Sequence, residues 1–330
     1  MSSRYRQFDR SNLRVLSLAE RKSLLESAII KAPEPCAEVH PSLEAIADKL
    51  ISARDKDSAR VLMIGAHVIR AGVQRYLFEL MEQGLISCIA VNGACAIHDF
   101  EFAMHGQTTE CVATYISNGQ FGLWQETGQL NDIVKNGNKQ GLGFGESVGK
   151  FLCENNPDHA KVSLFAKAYE LGIPVTVHAG IGYDIIHEHP NCDGAAIGEA
   201  SYRDFLIFAA CLEQLEHGVV MNFGSAIMAP EIYLKALAMV RNAAANANSA
   251  KTICNFTTLV CDLHDLPENV GSEAPKSDAQ YYFRPWKTML IRTVADGGKS
   301  YYVRGFHEQT IPQLWTAATK LLASEKDRVE

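Results

Sequence analysis

The chain has 330 residues, 31 of them basic and 38 acidic, for a formal charge of −7. At ~150 residues per domain this length allows two domains or one large α/β unit, and the 47% hydrophobic content is enough for a large core and excludes a disordered chain. The acidic balance argues against nucleic acid, whose footprint is a basic patch, and no run approaches the ~18 apolar residues of a membrane span. The opening MSSRYRQFDRSNLR lacks the apolar segment of a secretory signal. Nine cysteines, odd in number and without a C-x-x-C, read as reduced thiols of a cytoplasmic protein.

In chain order, residues 1–55 read as an N-terminal helical arm. Ser17 has Glu20 three residues on, the spacing of a capping box, and Leu18, Leu25 and Ile29 recur at helical intervals. A helix is therefore predicted there until Pro33 and Pro35 break it, and a second from Ser42. Residues 56–330 read as one catalytic domain. Short apolar strands ending in small residues alternate with helices: VLMI (61–64) before Gly65, LISCIAV (85–91) before Asn92 and Gly93, and IPVTVHA (173–179) before Gly180. GVVMNF (218–223) precedes Gly224 and Ser225, and TICNF (252–256) and SYYV (300–303) are two more strands. Near-continuous apolar strands between helices mark a parallel sheet covered on both faces. The fold expected is a doubly wound, mainly parallel Rossmann-like α/β sheet, with ligands beyond the carboxyl ends of the strands. The glycine-rich residues 118–150 read as a long functional loop, and the proline-bearing 262–285 as a polar excursion over the sheet.

Neither G-x-G-x-x-G nor a Walker A motif is present. Small-residue turns at Gly65, Asn92 and Gly224 can still present backbone N–H groups to phosphate. GESVG (145–149) matches the nucleophile-elbow pattern, but no strand leads into it, so a chance match is the better reading. HAGIGYDIIHEHPNCDG (178–194) is the densest stretch in potential ligands, with His178, Asp184, His187, His189, Cys192 and Asp193. In an extended chain His187 and His189 would share a side, as a metal site needs; a substrate-holding loop is the alternative. Trp286-Lys287 places a lysine among aromatics, where it can serve as an imine-forming nucleophile or simply pack.

The order of these pieces resembles the deoxyhypusine synthase family, over roughly residues 55–325 and at a distance. Residues 61–100 resemble its first NAD-binding unit, ending in an acidic pair at Asp99 and Glu101. Residues 173–189 resemble its Asp-Gly-Ser segment, with Asp184 at its second aspartate, and GVVMNFGSA its strand before a triple glycine. Trp286-Lys287 resembles the segment with the catalytic lysine, one residue shorter here, and the acidic stretch before it has a partial counterpart from Glu268. The resemblance implies an NAD-dependent transferase that moves an aminobutyl group from a polyamine such as spermidine to an amine acceptor through a lysine imine. It implies NAD near Gly65, Asn92, Gly93, Asp99, Gly180, Gly224 and Ser225, catalysis by Lys287, Asp184 and His187, and substrate contacts from Asp184, His189 and Trp286. It also implies a homotetramer with sites at dimer interfaces, without nucleic-acid or membrane partners. A metal-dependent hydrolase built on His187 and His189, or a nucleotide-binding relative without transfer activity, are the alternatives.

Overall fold

The computed structural model describes residues 3–247, 253–267 and 270–329. Thr252, where one strand was expected to begin, and Glu268 and Asn269 of the acidic stretch lie outside the described residues. The chain runs through β1 (Ser23–Glu26), α1 (Pro41–Asp55), β2 (Arg60–Ile64), α2 (Ala66–Arg70), α3 (Gln74–Glu82), β3 (Cys88–Asn92) and α4 (Gly93–His105). There follow β4 (Gln107–Glu110), α5 (Val112–Ile116), α6 (Gln125–Lys139), α7 (Phe144–Asn155), α8 (Leu164–Glu170), β5 (Val175–His178) and α9 (Gly194–Leu212). Last come β6 (Val219–Phe223), α10 (Met228–Asn246), β7 (Thr257–Asp262), a π-helical turn (Trp286–Arg292), β8 (Lys299–Arg304) and α11 (His307–Val329).

Six strands form one sheet in the order β5-β3-β2-β6-β7-β8, every pairing parallel. The chain winds outward from β2 through β3 to β5, then returns to the centre and winds the other way through β6, β7 and β8. This is the doubly wound α/β fold, with its topological switch point between β2 and β6. All five residues of β2 and of β6 are buried, because helices cover both faces. Alternation sends Leu62 and Ile64 into the core beneath α1, α4 and α11, and Val61 and Met63 into the one beneath α9 and α10.

The N-terminal segment departs from expectation. No helix opens at Leu18: two 3₁₀ turns, Leu18–Glu20 and Ser27–Ile29, flank β1, which pairs antiparallel with β4. Ser17 caps the first of these turns, its Oγ accepting from the Ala19 N–H at 3.3 Å, but the expected box with Glu20 does not form. The Ser17 hydroxyl donates to Glu126 at 2.8 Å, and the Leu18 N–H donates to the same carboxylate at 2.5 Å. The helix expected from Ser42 is present as α1, and it is no appendage, since Leu43, Ile46 and Leu50 are wholly buried in the sheet's core.

Two other corrections concern 252–262 and 118–150. The strand expected at 252–256 lies further on, at β7. The glycine-rich segment is no long loop but the two helices α6 and α7. Its glycines are notches: a Cβ on Gly137 would strike Ser147, one on Gly145 the carbonyl of Val175 in β5, and one on Gly149 the backbone of α8. GESVG thus lies inside α7, where the buried Ser147 hydroxyl donates to the Gly143 carbonyl at 2.5 Å. Between the end of β7 at Asp262 and the helical residues that begin at Arg284, the described residues of the excursion form turns, irregular chain and one 3₁₀ turn, Ala279–Tyr282. No described helix is long and apolar enough to cross a membrane.

Candidate functional site

Two clefts open outside the carboxyl ends of the strands and meet at the switch point. The first, of 740 Å³, lies over the ends of β5, β3, β2 and β6, and is walled by the loop through Tyr183 and Asp184 and by α9 and α10. The second, of 670 Å³, shares His67, Gly224 and Ala226 with the first and continues over β7 and β8 to Arg70, Asp262, His307 and Glu308.

Where they meet, two turns press together. Gly65 ends β2 and its N–H donates to the Phe223 carbonyl of β6 at 2.9 Å. A Cβ on Gly65 would lie 2.5 Å from the Gly224 carbonyl oxygen, so only glycine fits. Gly224 itself has φ +67, the left-handed region that glycine enters at little cost. The following turn is braced from inside the sheet by Asn222, whose Oδ1 accepts from the Ser225 N–H at 3.1 Å and whose Nδ2 donates to the Ser225 carbonyl at 2.9 Å.

The floor of the first cleft continues at the end of β3. There Asn92 caps α4, its Oδ1 accepting from the Cys95 N–H at 3.1 Å. The Asp184 carboxylate occupies the space that a Gly93 side chain would fill, against the start of the same helix. Burial pushes the Asp184 carboxyl up to about 6, against the pull of the Ala94 N–H. His178, at the end of β5, sits 3.0 Å from the Thr176 hydroxyl and edge-on to Phe205 and Phe208. Burial drives it down to about 3, so it is neutral at physiological pH.

In the second cleft, burial also lowers His67 and His307. His67 is 3.3 Å from the Arg70 guanidinium, which adds to the effect. His307 feels Asp262 and Glu308 in the opposite sense. Its Nε2 side lies against Gly224, and its Nδ1 is buried without a partner.

Of the residues singled out in the sequence, the fold brings Gly65, Asn92, Gly180, Asp184, Gly224 and Ser225 together around the first cleft, with Gly93 beneath Asp184. It places the others elsewhere. Asp99 is wholly buried and caps α8, accepting from the Ser163 hydroxyl at 2.5 Å and the Leu164 N–H at 2.7 Å. His187 and His189 do not share a side: 187 lies in a 3₁₀ turn, not an extended chain. His187 Nδ1 accepts from the Gly182 and Asp184 N–H groups, each at 3.2 Å, while His189 Nε2 pairs with the Gly122 carbonyl at 2.8 Å. That separation removes the geometric basis of the metal-hydrolase alternative. Trp286 is buried and donates to the Val270 carbonyl at 3.1 Å. Lys287 lines neither cleft; its Nζ stands 3.3 Å from the centre of the Tyr281 ring, a cation–π placement.

The sequence reading singled out His178, which lies at the end of β5 in the first cleft, but passed over His67, Arg70, Asn222 and His307. For Asn222 a signal existed: it is the polar residue of the otherwise apolar strand Val219–Phe223, one place before the end that faces the crevice.

The fold and crevice define a Rossmann-type domain. The family model described as "Arginine dihydrolase ArgZ-like, C-terminal, Rossmann fold" matches residues 44–141. The chain is 23% identical over 228 residues to a deoxyhypusine synthase-like protein of Chlorobaculum parvum, a match covering 56% of this chain and 65% of that one. It thus spans a little under two thirds of that relative. Among solved structures it is similar to unliganded AgrE, with TM-score 0.51 and 15% identity over 85% of this chain and 32% of that one. It is similar also to AgrE in its ternary complex with ornithine and NAD+, with TM-score 0.50 and 15% identity over 86% and 33% of the two chains. At such identity these structures speak for the fold. The chain is similar, at a distance, to the deoxyhypusine synthase-like proteins.

Proposed function

We propose that this protein is an NAD-dependent enzyme acting on an amine-bearing substrate, with the dinucleotide laid across the two clefts. The observation that carries the reading is the contact of Gly65 with Gly224 at the switch point, which brings bare backbone to the place where such folds hold a pyrophosphate. The clefts fit a two-part ligand, since they form two lobes of similar size joined at that contact. The deoxyhypusine synthase-like relatives and the NAD+ complex of AgrE support the same assignment.

In folds of this kind an acidic residue near the end of the second strand holds the adenosine ribose. Here that strand ends at Asn92, and Asp184 brings a carboxylate to the same helix start from the loop after β5. The adenosine half therefore belongs over β3 and β5, and the reactive half over β6, β7 and β8. NAD, when bound, supplies hydride acceptance and return at carbon next to an amine nitrogen. His307, which lines that half of the crevice, can take the proton of a substrate ammonium there.

The specific reaction we assign is transfer of an aminobutyl group from a polyamine to an amine acceptor. Lys287, committed to the Tyr281 ring, lines neither cleft, so the acceptor amine itself, bound in the second cleft, is the nucleophile in this reading. A homotetramer in the cytoplasm belongs to the same proposal.

Calorimetric titration with NAD and with ADP-ribose tests it. Both should bind, and Asp184→Asn should weaken both about tenfold, the worth of one lost charged hydrogen bond. Absence of NAD binding by the intact protein would sink the reading. Diaminopropane release from spermidine, unchanged in Lys287→Ala, would support the acceptor as nucleophile, and its loss would return that role to Lys287.

A further inference from the structure

The second cleft carries charges that the fold does not use. Arg70 lines it and, among the described residues, has no carboxylate partner. Among the described residues its one hydrogen-bond neighbour is the His67 ring, and its Nε is buried without a partner there. Two carboxylates line the same cleft. Among the described residues, the Asp262 side chain is engaged only by the adjacent Leu263 N–H, and Glu308 makes no ion pair. His307 lies within electrostatic reach of both carboxylates and of His67, so these groups surround one space. Leu25, Ile29 and Phe306 give that space apolar walls.

A free guanidinium is a receptor for a carboxylate, which it holds through two parallel hydrogen bonds. A pair of free carboxylates is a receptor for an ammonium group. A polyamine would satisfy Asp262 and Glu308 but would leave its own charge facing Arg70, a like-charge repulsion.

From this arrangement we infer that the second cleft binds a zwitterion: an amino acid whose carboxylate pairs with Arg70 and whose amine lies between Asp262 and Glu308. The inference rests on the proposed function for the amine and adds the carboxylate, which a polyamine lacks. The amine is left beside His307, the side chain in this cleft placed to receive its proton.

Matched ligand pairs test it on the full-length protein. Lysine and its shorter diamino-acid homologues are each titrated against the diamine left when the carboxylate is removed, with and without NAD. At least one amino acid should bind about tenfold or more tightly than its diamine, as a charge-assisted pair predicts. Arg70→Gln should erase that preference and leave the diamine affinity unchanged or improved. Diamines binding as tightly as the amino acids would overturn the inference and leave the amine reading standing. A preference that survives in Arg70→Gln would remove it from this cleft. If no amino acid or diamine binds while NAD does, both the zwitterion and the amine reading fail, and the nucleotide assignment stands apart from them.

Discussion

The ionisable residues of the interior and those of the clefts obey different rules. Beneath the sheet, each buried carboxylate among the described residues accepts hydrogen bonds from the chain. Glu101 holds Arg21 through both oxygens, at 2.8 and 2.9 Å, and accepts from Thr108 and Thr127 as well. Asp99 caps α8. Asp204, in α9, accepts the Gly145 N–H of α7 at 2.9 Å and the Val177 N–H of the edge strand β5 at 2.7 Å. In the second cleft, Arg70, Asp262 and Glu308 have almost no partners among the described residues. Removing a charge from water costs several kcal/mol unless partners replace the solvent. Interior charges therefore survive only as staples between elements. Cleft charges remain solvated, cost the fold little, and stay available to a ligand.

The largest effect should come from breaking a staple. Arg21 and Glu101 tie the N-terminal segment to α4, with both side chains about 1% exposed. Burial alone would raise the Glu101 carboxyl, but Arg21 and the two hydroxyl donors hold it below its ordinary value. Arg21→Met should cost about 3–5 kcal/mol in urea unfolding, because it strands a buried carboxylate. Adding Glu101→Gln should recover much of that loss. A single variant costing under about 1 kcal/mol would mean that the interior pair is no staple.

The same distinction explains how much the sequence could disclose. The sheet was legible because strands covered on both faces are almost wholly apolar, as in Val61–Ile64 and Val219–Phe223, and the small-residue turns after them located the first cleft. The staples were not legible. Nothing local tells that Ser17 will answer to Glu126 and not to Glu20, since the two partners are over a hundred residues apart. The glycines of 137–149 misled for a related reason. Glycine marks either a flexible turn or a place where two elements touch, and only the packing of α7 on β5 and α8 shows the second meaning here. Arg70 and His307 escaped notice because the second cleft gathers them from opposite ends of the sequence.

A smaller effect is expected at Asp204, where the interior rule is met only in part. Oδ2 has its two backbone donors, but Oδ1 is buried without a partner, and burial pushes the carboxyl up to about 7. A carboxyl raised above its ordinary 3.8 favours the protonated native state. Its contribution to stability is therefore full at acid pH and is lost as pH climbs through that window to about 7. Asp204→Asn carries no such titration. Measured against wild type, it should gain about 1–3 kcal/mol in relative stability between pH 4 and 8. Parallel pH profiles for the two proteins would show that the hydrogen bonds keep Asp204 ionised throughout.

The smallest effect on the fold should fall where the effect on binding is large. Arg70 has no carboxylate to lose and a buried Nε already without a partner, so Arg70→Gln breaks no staple. Its unfolding free energy should lie within about 0.5 kcal/mol of wild type, the range of substitutions that touch no cap, core or paired charge. Retained stability together with a lost preference for the carboxylate-bearing ligand would place Arg70 on the cleft side of the division. A loss of 2 kcal/mol or more would move it to the interior side, because a guanidinium that the fold depends on cannot at the same time be idle in the absence of ligand.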